Sequence, residues 1–341
     1  MHAIKDLDSW NLFLKLEKKG TLLIGLKNVI VCFRSSCHNL YWPSIRIEGL
    51  HSLGLVMLET QEYSFLKKDI HSGESCSCNL GRSLLKLCHA DLAGAFYGHP
   101  SQNLAVVGIT GTNGKTTTSY LIRSMYEAMG LQTGLLGTIN YFINSKKKME
   151  APNTTPDAVY LQKLMASMVH FGTDACIMEV SSHAMVLERC KEVDFDIAVF
   201  TNLTRDHMDF HKTVEDYRAA KGKLFAKMVD PERHRKVVNI DDPEAPYFVA
   251  QGSPDVPVVT FGMETANADV YPLEVQLSLF ETELLVRTPK GNVEISSGLL
   301  GRHNVYNILA AVAVGEWSLS PLAYSYSCHF PSIPSVMWVK I

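Results

Sequence analysis

The feature that most limits how this chain can fold is a glycine-rich turn set between an apolar run and a helical period. Leu104-Ala105-Val106-Val107-Gly108-Ile109 is a short apolar segment, the pattern of a strand buried in a parallel sheet. Gly111-Thr112-Asn113-Gly114-Lys115-Thr116-Thr117 follows directly. Leu121, Met125 and Met129 then recur at i, i+4 and i+8, with Ile122 and Tyr126 beside them, which predicts a helix over Lys115–Met129 stopped by Gly130. Together these make an anion-binding device. Glycines let backbone N–H groups approach phosphate oxygens, and the helix start adds partial positive charge. Lys115 is placed to reach the β- and γ-phosphates and the Thr116 hydroxyl to bind Mg²⁺. The spacing is shorter than GxxxxGK(S/T): Ile109 stands where the first glycine would fall, and Gly108 comes one place early. A plain glycine turn capping a helix is the competing reading, and the order of strand, glycine pair, Lys-Thr and helix argues against it.

Further strands are predicted at Ala175–Met178, Phe195–Phe200 and Lys236–Ile240, the last ended by Asp241-Asp242-Pro243. Separated by helical segments, they imply an α/β fold of the P-loop type, with a mostly parallel sheet flanked by helices. Leu277–Leu285 and Val293–Ile295 read instead as antiparallel strands around the turn Pro289-Lys290-Gly291. Patterning divides the 341 residues into an irregular, poorly defined N-terminal region (1–87), a central α/β domain (88–316) and a Ser-, Pro- and Tyr-rich tail (317–341).

Composition removes several function classes. A net charge of −3 gives no global field for nucleic acid or an anionic membrane. No apolar run reaches the ~20 residues of a membrane span. Thr21–Phe33 is broken by Lys27 and Asn28 and reads as a buried strand or helix, and Met1–Gly20 makes a poor transit peptide or secretory signal. Eight cysteines, including Cys76-Ser77-Cys78, match no zinc spacing and read as free thiols.

At the glycine loop the chain resembles the Mur ligases, ATP-dependent amide-forming enzymes of peptidoglycan synthesis. The resemblance continues through Asn153-Thr154-Thr155-Pro156, Glu179-Val180-Ser181-Ser182-His183, Thr201-Asn202-Leu203-Thr204-Arg205-Asp206-His207, Tyr217-Arg218-Ala219-Ala220-Lys221 and Gly301-Arg302-His303-Asn304-Val305-Tyr306-Asn307. These motifs stand in the family's order and cover roughly residues 88–316. Asn-Thr-Thr and Glu-Val-Ser-Ser-His are most similar to the branch that adds the third residue of the stem peptide. Val193–His211 resembles the chloroplast versions found in plants.

The resemblance implies a role for each position. Gly111, Thr112, Asn113, Gly114, Lys115, Thr116 and Thr117 would hold the phosphates of ATP, and Asn304 and Asn307, on one helix face at i and i+3, the adenine. Thr116, Glu179 and His207 would surround Mg²⁺, a hard cation suited to a carboxylate and a hydroxyl. Lys221 would react with CO₂ to a carbamate holding a second Mg²⁺, and Lys115, Lys221 and His207 form the expected catalytic set. Thr154, Thr155, Ser181 and Arg189 would hold the UDP-muramoyl-peptide, although Leu187 stands where many family members place a Gln. Without the family, Glu179, His207, Lys221, Arg189, Asn304 and Asn307 read more readily as surface groups; Lys115 alone does not.

The implied reaction is ATP-dependent addition of the third amino acid, a diamino acid, to UDP-N-acetylmuramoyl-L-alanyl-D-glutamate through an acyl-phosphate. A monomer in the bacterial-type cytoplasm or plastid stroma, binding no nucleic acid, is expected. The family's C-terminal domain, with its Asp-Asn-Pro-Arg signature, does not follow Gly315, so the chain by itself is expected to bind nucleotide weakly without turnover. Two other readings stay open: a folylpolyglutamate synthetase-like ligase, and a plastid protein that keeps the fold for chloroplast development without catalysis.

Overall fold

In a computed structural model, residues 90–316 are described in full, and Trp317 by its backbone. Elsewhere only the backbones of Phe13–Glu17, Thr21–Leu26, Val29–Arg34, Ser44–Ile47 and Val336–Val339 are described. Contacts divide the chain into residues 1–96 and 97–341. In the first unit the four N-terminal strands pair in sequence order as an antiparallel sheet. Thr21–Phe33 therefore falls in two strands, Thr21–Leu26 and Val29–Arg34, that pair antiparallel. Its expected burial lies outside the described residues, as do Cys32, Cys37, Cys76, Cys78, Cys88 and Cys328; Cys176 and Cys190 are buried free thiols.

The second unit is built on β1 (Ala105–Thr110), whose burial on both faces follows from its unbroken apolar run. The glycine turn leads into α1 (Lys115–Ala128). Gly130 closes that helix at φ 88°, a left-handed value that glycine adopts without Cβ strain. The chain continues through β2 (Thr133–Leu136), β3 (Asn140–Phe142), β4 (Lys148–Glu150), α2 (Ala158–His170) and β5 (Ala175–Glu179). Then come α3 (Ser182–Val186), β6 (Ile197–Phe200), α4 (Val214–Ala226), β7 (Arg235–Asn239), α5 (Ala245–Val249) and β8 (Val258–Phe261).

The sheet order is β8-β7-β6-β1-β5-β2-β3-β4. Strands β8 to β2 are parallel, and β3 and β4 extend the edge as an antiparallel pair. The even and odd residues of β1 enter different cores. Val107 and Ile109 pack with Leu121, Ile122, Met125 and Tyr126 of α1. Val106 packs with Leu161, Met165 and Met168 of α2 and with Leu224 of α4. A second sheet of β9 (Tyr271–Leu277), β10 (Thr282–Thr288) and β11 (Gly291–Ser297) continues parallel to Val336–Val339. Its Leu284, Val286, Val293 and Ile295 join the α1 core beside α6 (Arg302–Trp317).

Two of the boundaries that differ from the sequence reading have a side-chain cause. The stretch Leu277–Leu285 is not one strand, because Ser278 turns it. Its hydroxyl accepts the N–H of Phe280 (3.1 Å) and Glu281 (2.9 Å). β6 begins at Ile197 rather than Phe195 because the Asp196 carboxylate, not a backbone carbonyl, accepts the N–H of Val106 (2.7 Å). No helix among the described residues is long and apolar enough to cross a membrane.

Candidate active site

The carboxyl ends of β1, β5, β6 and β2 open on one side of the sheet, where open parallel sheets hold ligands. A cleft of about 250 Å³ lies there. It is lined by Thr112–Thr117, Thr138, Thr154, Glu179, Ser181, Ser182, His207 and Lys221. Residues from five separate motifs, up to 109 positions apart in sequence (Thr112 to Lys221), thus line one cleft.

The glycine loop takes its shape from β6 and the segment after it. Gly111, at φ 147°, faces Thr201, and a Cβ there would stand 2.0 Å from the Thr201 hydroxyl. The Thr112 N–H donates to Asn202 O (2.9 Å). The Asn202 side chain brackets Asn113, accepting its N–H at 3.0 Å and donating to its carbonyl at 3.0 Å. Gly114, at φ 87°, begins α1 with Asn307 directly behind it. Lys115 folds back on the loop, its ammonium donating to Gly111 O (2.9 Å) and Thr112 O (2.8 Å). Burial pulls its pKa down, with Glu179 and Asp206 opposing.

Glu179 ends β5 fully buried. Its Oε2 accepts the hydroxyls of Thr116 and Thr138, each at 3.0 Å, and its Oε1 accepts the Thr138 N–H at 2.9 Å. All three donors are neutral, so the carboxylate's charge is offset by no cation in these bonds. A buried charge in that state is stabilised by a metal ion or an opposite charge. Oxygen donors, one carboxylate and room for phosphate oxygens suit Mg²⁺, which keeps waters and takes few protein ligands. Among the described residues no three His, Cys, Asp or Glu side chains converge into a closed metal cage. His207 lines the same cleft at φ 54°, its Nε2 3.5 Å from Asp206 and its ring edge-on to His183.

Lys221, on α4, is 2 % exposed and donates to Gly111 O at 2.7 Å while lying over the Tyr217 ring. Its pKa is pulled to about 6, first by burial and then by repulsion from Lys115, with Asp206 opposing. Tyr217 in turn hydrogen-bonds the Thr112 hydroxyl at 3.2 Å.

Thr154 and Ser181 face the cleft, but Thr155 and Arg189 stand behind it. Thr155 is buried and donates to Glu179 O (2.8 Å), and Arg189 donates to Thr155 O (2.9 Å). Asn307 Nδ2 donates to Asn304 Oδ1 at 3.0 Å, and Asn307 Oδ1 accepts from Thr118 (3.3 Å). This pair therefore meets the helix start, outside the cleft lining.

Sequence reasoning assigned no role to Thr138, Asn202 or Tyr217. Asn202 and Tyr217 lay inside motifs already singled out. Thr138 had a weaker signal, a Gly-Thr step after the apolar Leu135-Leu136, which repeats the Gly-Thr step after β1.

Residues 109–315 match the Mur ligase middle domain. The chain is 63 % identical over 235 residues to the UDP-N-acetylmuramoyl-L-alanyl-D-glutamate--2,6-diaminopimelate ligase MurE homolog, chloroplastic, of Arabidopsis thaliana, covering 68 % of this chain and 30 % of that protein. It is 45 % identical over 228 residues to the UDP-N-acetylmuramoyl-L-alanyl-D-glutamate--2,6-diaminopimelate ligase of Bacillus velezensis, covering 66 % and 46 %. The chain therefore spans less than half the length of these relatives. A solved structure of a UDP-N-acetylmuramoyl-L-alanyl-D-glutamate--2,6-diaminopimelate ligase superposes with a TM-score of 0.61 at 28 % identity, covering 69 % of this chain and 48 % of that one. The Mycobacterium tuberculosis folylpolyglutamate synthase complexed with ADP and AMPPCP superposes with a TM-score of 0.56 at 15 % identity, covering 73 % and 61 %, a likeness of fold.

Proposed function

This chain belongs to the Mur ligase family, and we propose that its cleft is the ATP and acyl-donor site of an amide ligase that extends UDP-N-acetylmuramoyl-L-alanyl-D-glutamate by a diamino acid. The observation that carries this reading is the convergence of the glycine loop, Glu179, His207, Lys221, Thr154 and Ser181 on one cleft. The names of the relatives support diaminopimelate over lysine as the added residue. Identity of 63 % to a chloroplastic relative supports a plastid location.

In this reading the D-glutamyl carboxylate attacks the γ-phosphorus of ATP, giving an acyl-phosphate and ADP. The amine of the incoming residue then attacks the acyl carbon, and the intermediate expels phosphate as the amide forms. The loop and Lys115 hold the phosphates in line and offset their charge while a second anion approaches. Thr154 and Ser181 hold the muramoyl peptide at the facing wall. Thr155 and Arg189 brace that wall from behind. Thr116, Glu179 and His207 would hold Mg²⁺, which would supply neutralisation of phosphate charge. Lys221, as a carbamate, would hold a second Mg²⁺.

Calorimetry on residues 1–341 tests this. ATP is expected to bind with Mg²⁺ and far less with EDTA, and UDP-muramoyl-dipeptide to bind the same protein, each tightening the other. A folate substrate tightening ATP binding in place of the dipeptide would select the folylpolyglutamate reading. Binding of neither nucleotide nor dipeptide would overturn the ligase reading.

A further inference from the structure

Thr138 joins two parts of the cleft that come from distant stretches of chain. It stands in the turn after β2, two residues beyond Leu136, and it is exposed to the cleft. Its N–H donates to Glu179 Oε1 (2.9 Å) and its hydroxyl to Glu179 Oε2 (3.0 Å), so one residue grips both carboxylate oxygens. The same hydroxyl lies 3.1 Å from the Thr154 hydroxyl. A hydroxyl has one proton, and an ionised carboxylate can only accept. The Thr138 proton is therefore committed to Glu179, and Thr154 donates to Thr138. The result is a directed chain from Thr154 through Thr138 to Glu179.

The backbone is shaped for this contact. A Cβ on Gly137 would stand 2.4 Å from Glu179 Oε1, so only glycine lets the turn come this close. On the opposite side, Thr116 bonds the same Oε2 at 3.0 Å. Glu179 is thus held between the turn after β2 and the start of α1.

We propose that Thr138 is a positioning residue that presents the Glu179 carboxylate to a divalent cation and ties that carboxylate to the Thr154 wall. The proposal rests on the cation–nucleotide reading of the cleft and names the residue that sets its geometry. A hydrogen bond to a charged group contributes enough that its loss is read as roughly a tenfold change in affinity. Thr138→Val keeps the shape and the backbone N–H and removes only the hydroxyl.

The test is titration of Mn²⁺ with ADP, followed by Mn²⁺ paramagnetic resonance and by calorimetry, and repeated with ADP in EDTA. Thr138→Val is expected to weaken Mn²⁺-dependent ADP binding roughly tenfold. Its ADP affinity in EDTA should stay within about twofold of wild type, and Thr138→Ser should restore Mn²⁺ binding to a similar margin. Equal Mn²⁺ binding by wild type and Thr138→Val would overturn the proposal. Equal losses with and without the cation, or no rescue by Thr138→Ser, would assign Thr138 to the fold alone and also overturn it. Wild type showing no Mn²⁺-dependent ADP binding would remove the cation–nucleotide reading itself, and the proposal with it.

Discussion

Lys115 and Lys221 donate to the same acceptor, the carbonyl oxygen of Gly111, at 2.9 and 2.7 Å. Two ammonium groups on one carbonyl repel each other, and the more buried one yields. Lys221 is 2 % exposed and its pKa falls to about 6; Asp206 opposes the fall at both lysines, and Glu179 opposes it at Lys115 alone. The glycine loop thus meets two amines, of which Lys221, with its pKa pulled to about 6, is the one held toward its neutral form. A neutral amine is the form that attacks CO₂, giving a carbamate and a proton.

The first prediction follows from that neutral amine. In ¹³C-bicarbonate, a carbamate signal on Lys221 should appear as pH rises through about 6, far below the ordinary lysine value of 10.5. Lys221→Met should lack it. Between about pH 6 and 10.5 the unfolded chain binds a proton that the folded chain does not, so stability rises with pH across this window. Lys221→Met should flatten that slope and be more stable than wild type at pH 7. Urea unfolding at several pH values, in CO₂-free buffer, measures it.

The second concerns Asn202, whose amide pairs with both sides of the Asn113 peptide. This mimics a strand ladder where no strand can reach. Asn202→Ala removes two hydrogen bonds from a half-buried site, costing about 1–3 kcal/mol. The loop would then lose its fixed shape, and nucleotide affinity should fall more than global stability does. Paired calorimetry and urea unfolding separate the two effects; a loss of stability with unchanged nucleotide affinity would deny the loop role.

The phosphate loop, its strand and its helix were legible because local patterning alone specifies them. Apolar runs short enough for buried strands also marked β5 and β7. The grip on Glu179 was not legible, because it depends on which strands lie next to each other. β2 pairs with β5, and that pairing alone brings Thr138 to Glu179 across 41 positions of sequence. Thr155 and Arg189 illustrate the converse. Their motif was recognisable, but burial of Thr155 behind Glu179 O could be seen only in three dimensions. Ser278 marks a smaller failure, where a hydroxyl captured two N–H groups inside an alternating pattern that read as one strand.

The third prediction tests the core that carries α4 and α5. Phe248 is fully buried, stacked on Phe200 at 3.8 Å and edge-on to Phe225 at 5.4 Å. Phe248→Ala should cost about 3–5 kcal/mol through lost burial and the cavity left behind. Urea unfolding monitored by far-UV circular dichroism should show a lower midpoint, while Phe248→Leu keeps most of the stability.

The fourth separates two reasons for glycine at the start of α1. Gly114 and Gly130 have nearly the same left-handed backbone, φ 87° and 88°. A Cβ at Gly130 would meet nothing within 4 Å, whereas one at Gly114 would stand 2.3 Å from Asn307 Oδ1. Gly130→Ala should therefore cost only the backbone penalty, about 1–2 kcal/mol. Gly114→Ala should cost more, because it also pushes the Asn307 side chain off its bonds to Thr118 and Asn304. Adding Asn307→Ala to Gly114→Ala removes the clash and should recover stability toward the Gly130→Ala level. Nucleotide affinity should stay low in that double variant, because the left-handed turn that aims the loop at the phosphates is still strained. Thermal unfolding and ADP titration of the three variants decide it. Equal costs for Gly114→Ala and Gly130→Ala would mean that Asn307 moves aside freely and does not hold the loop.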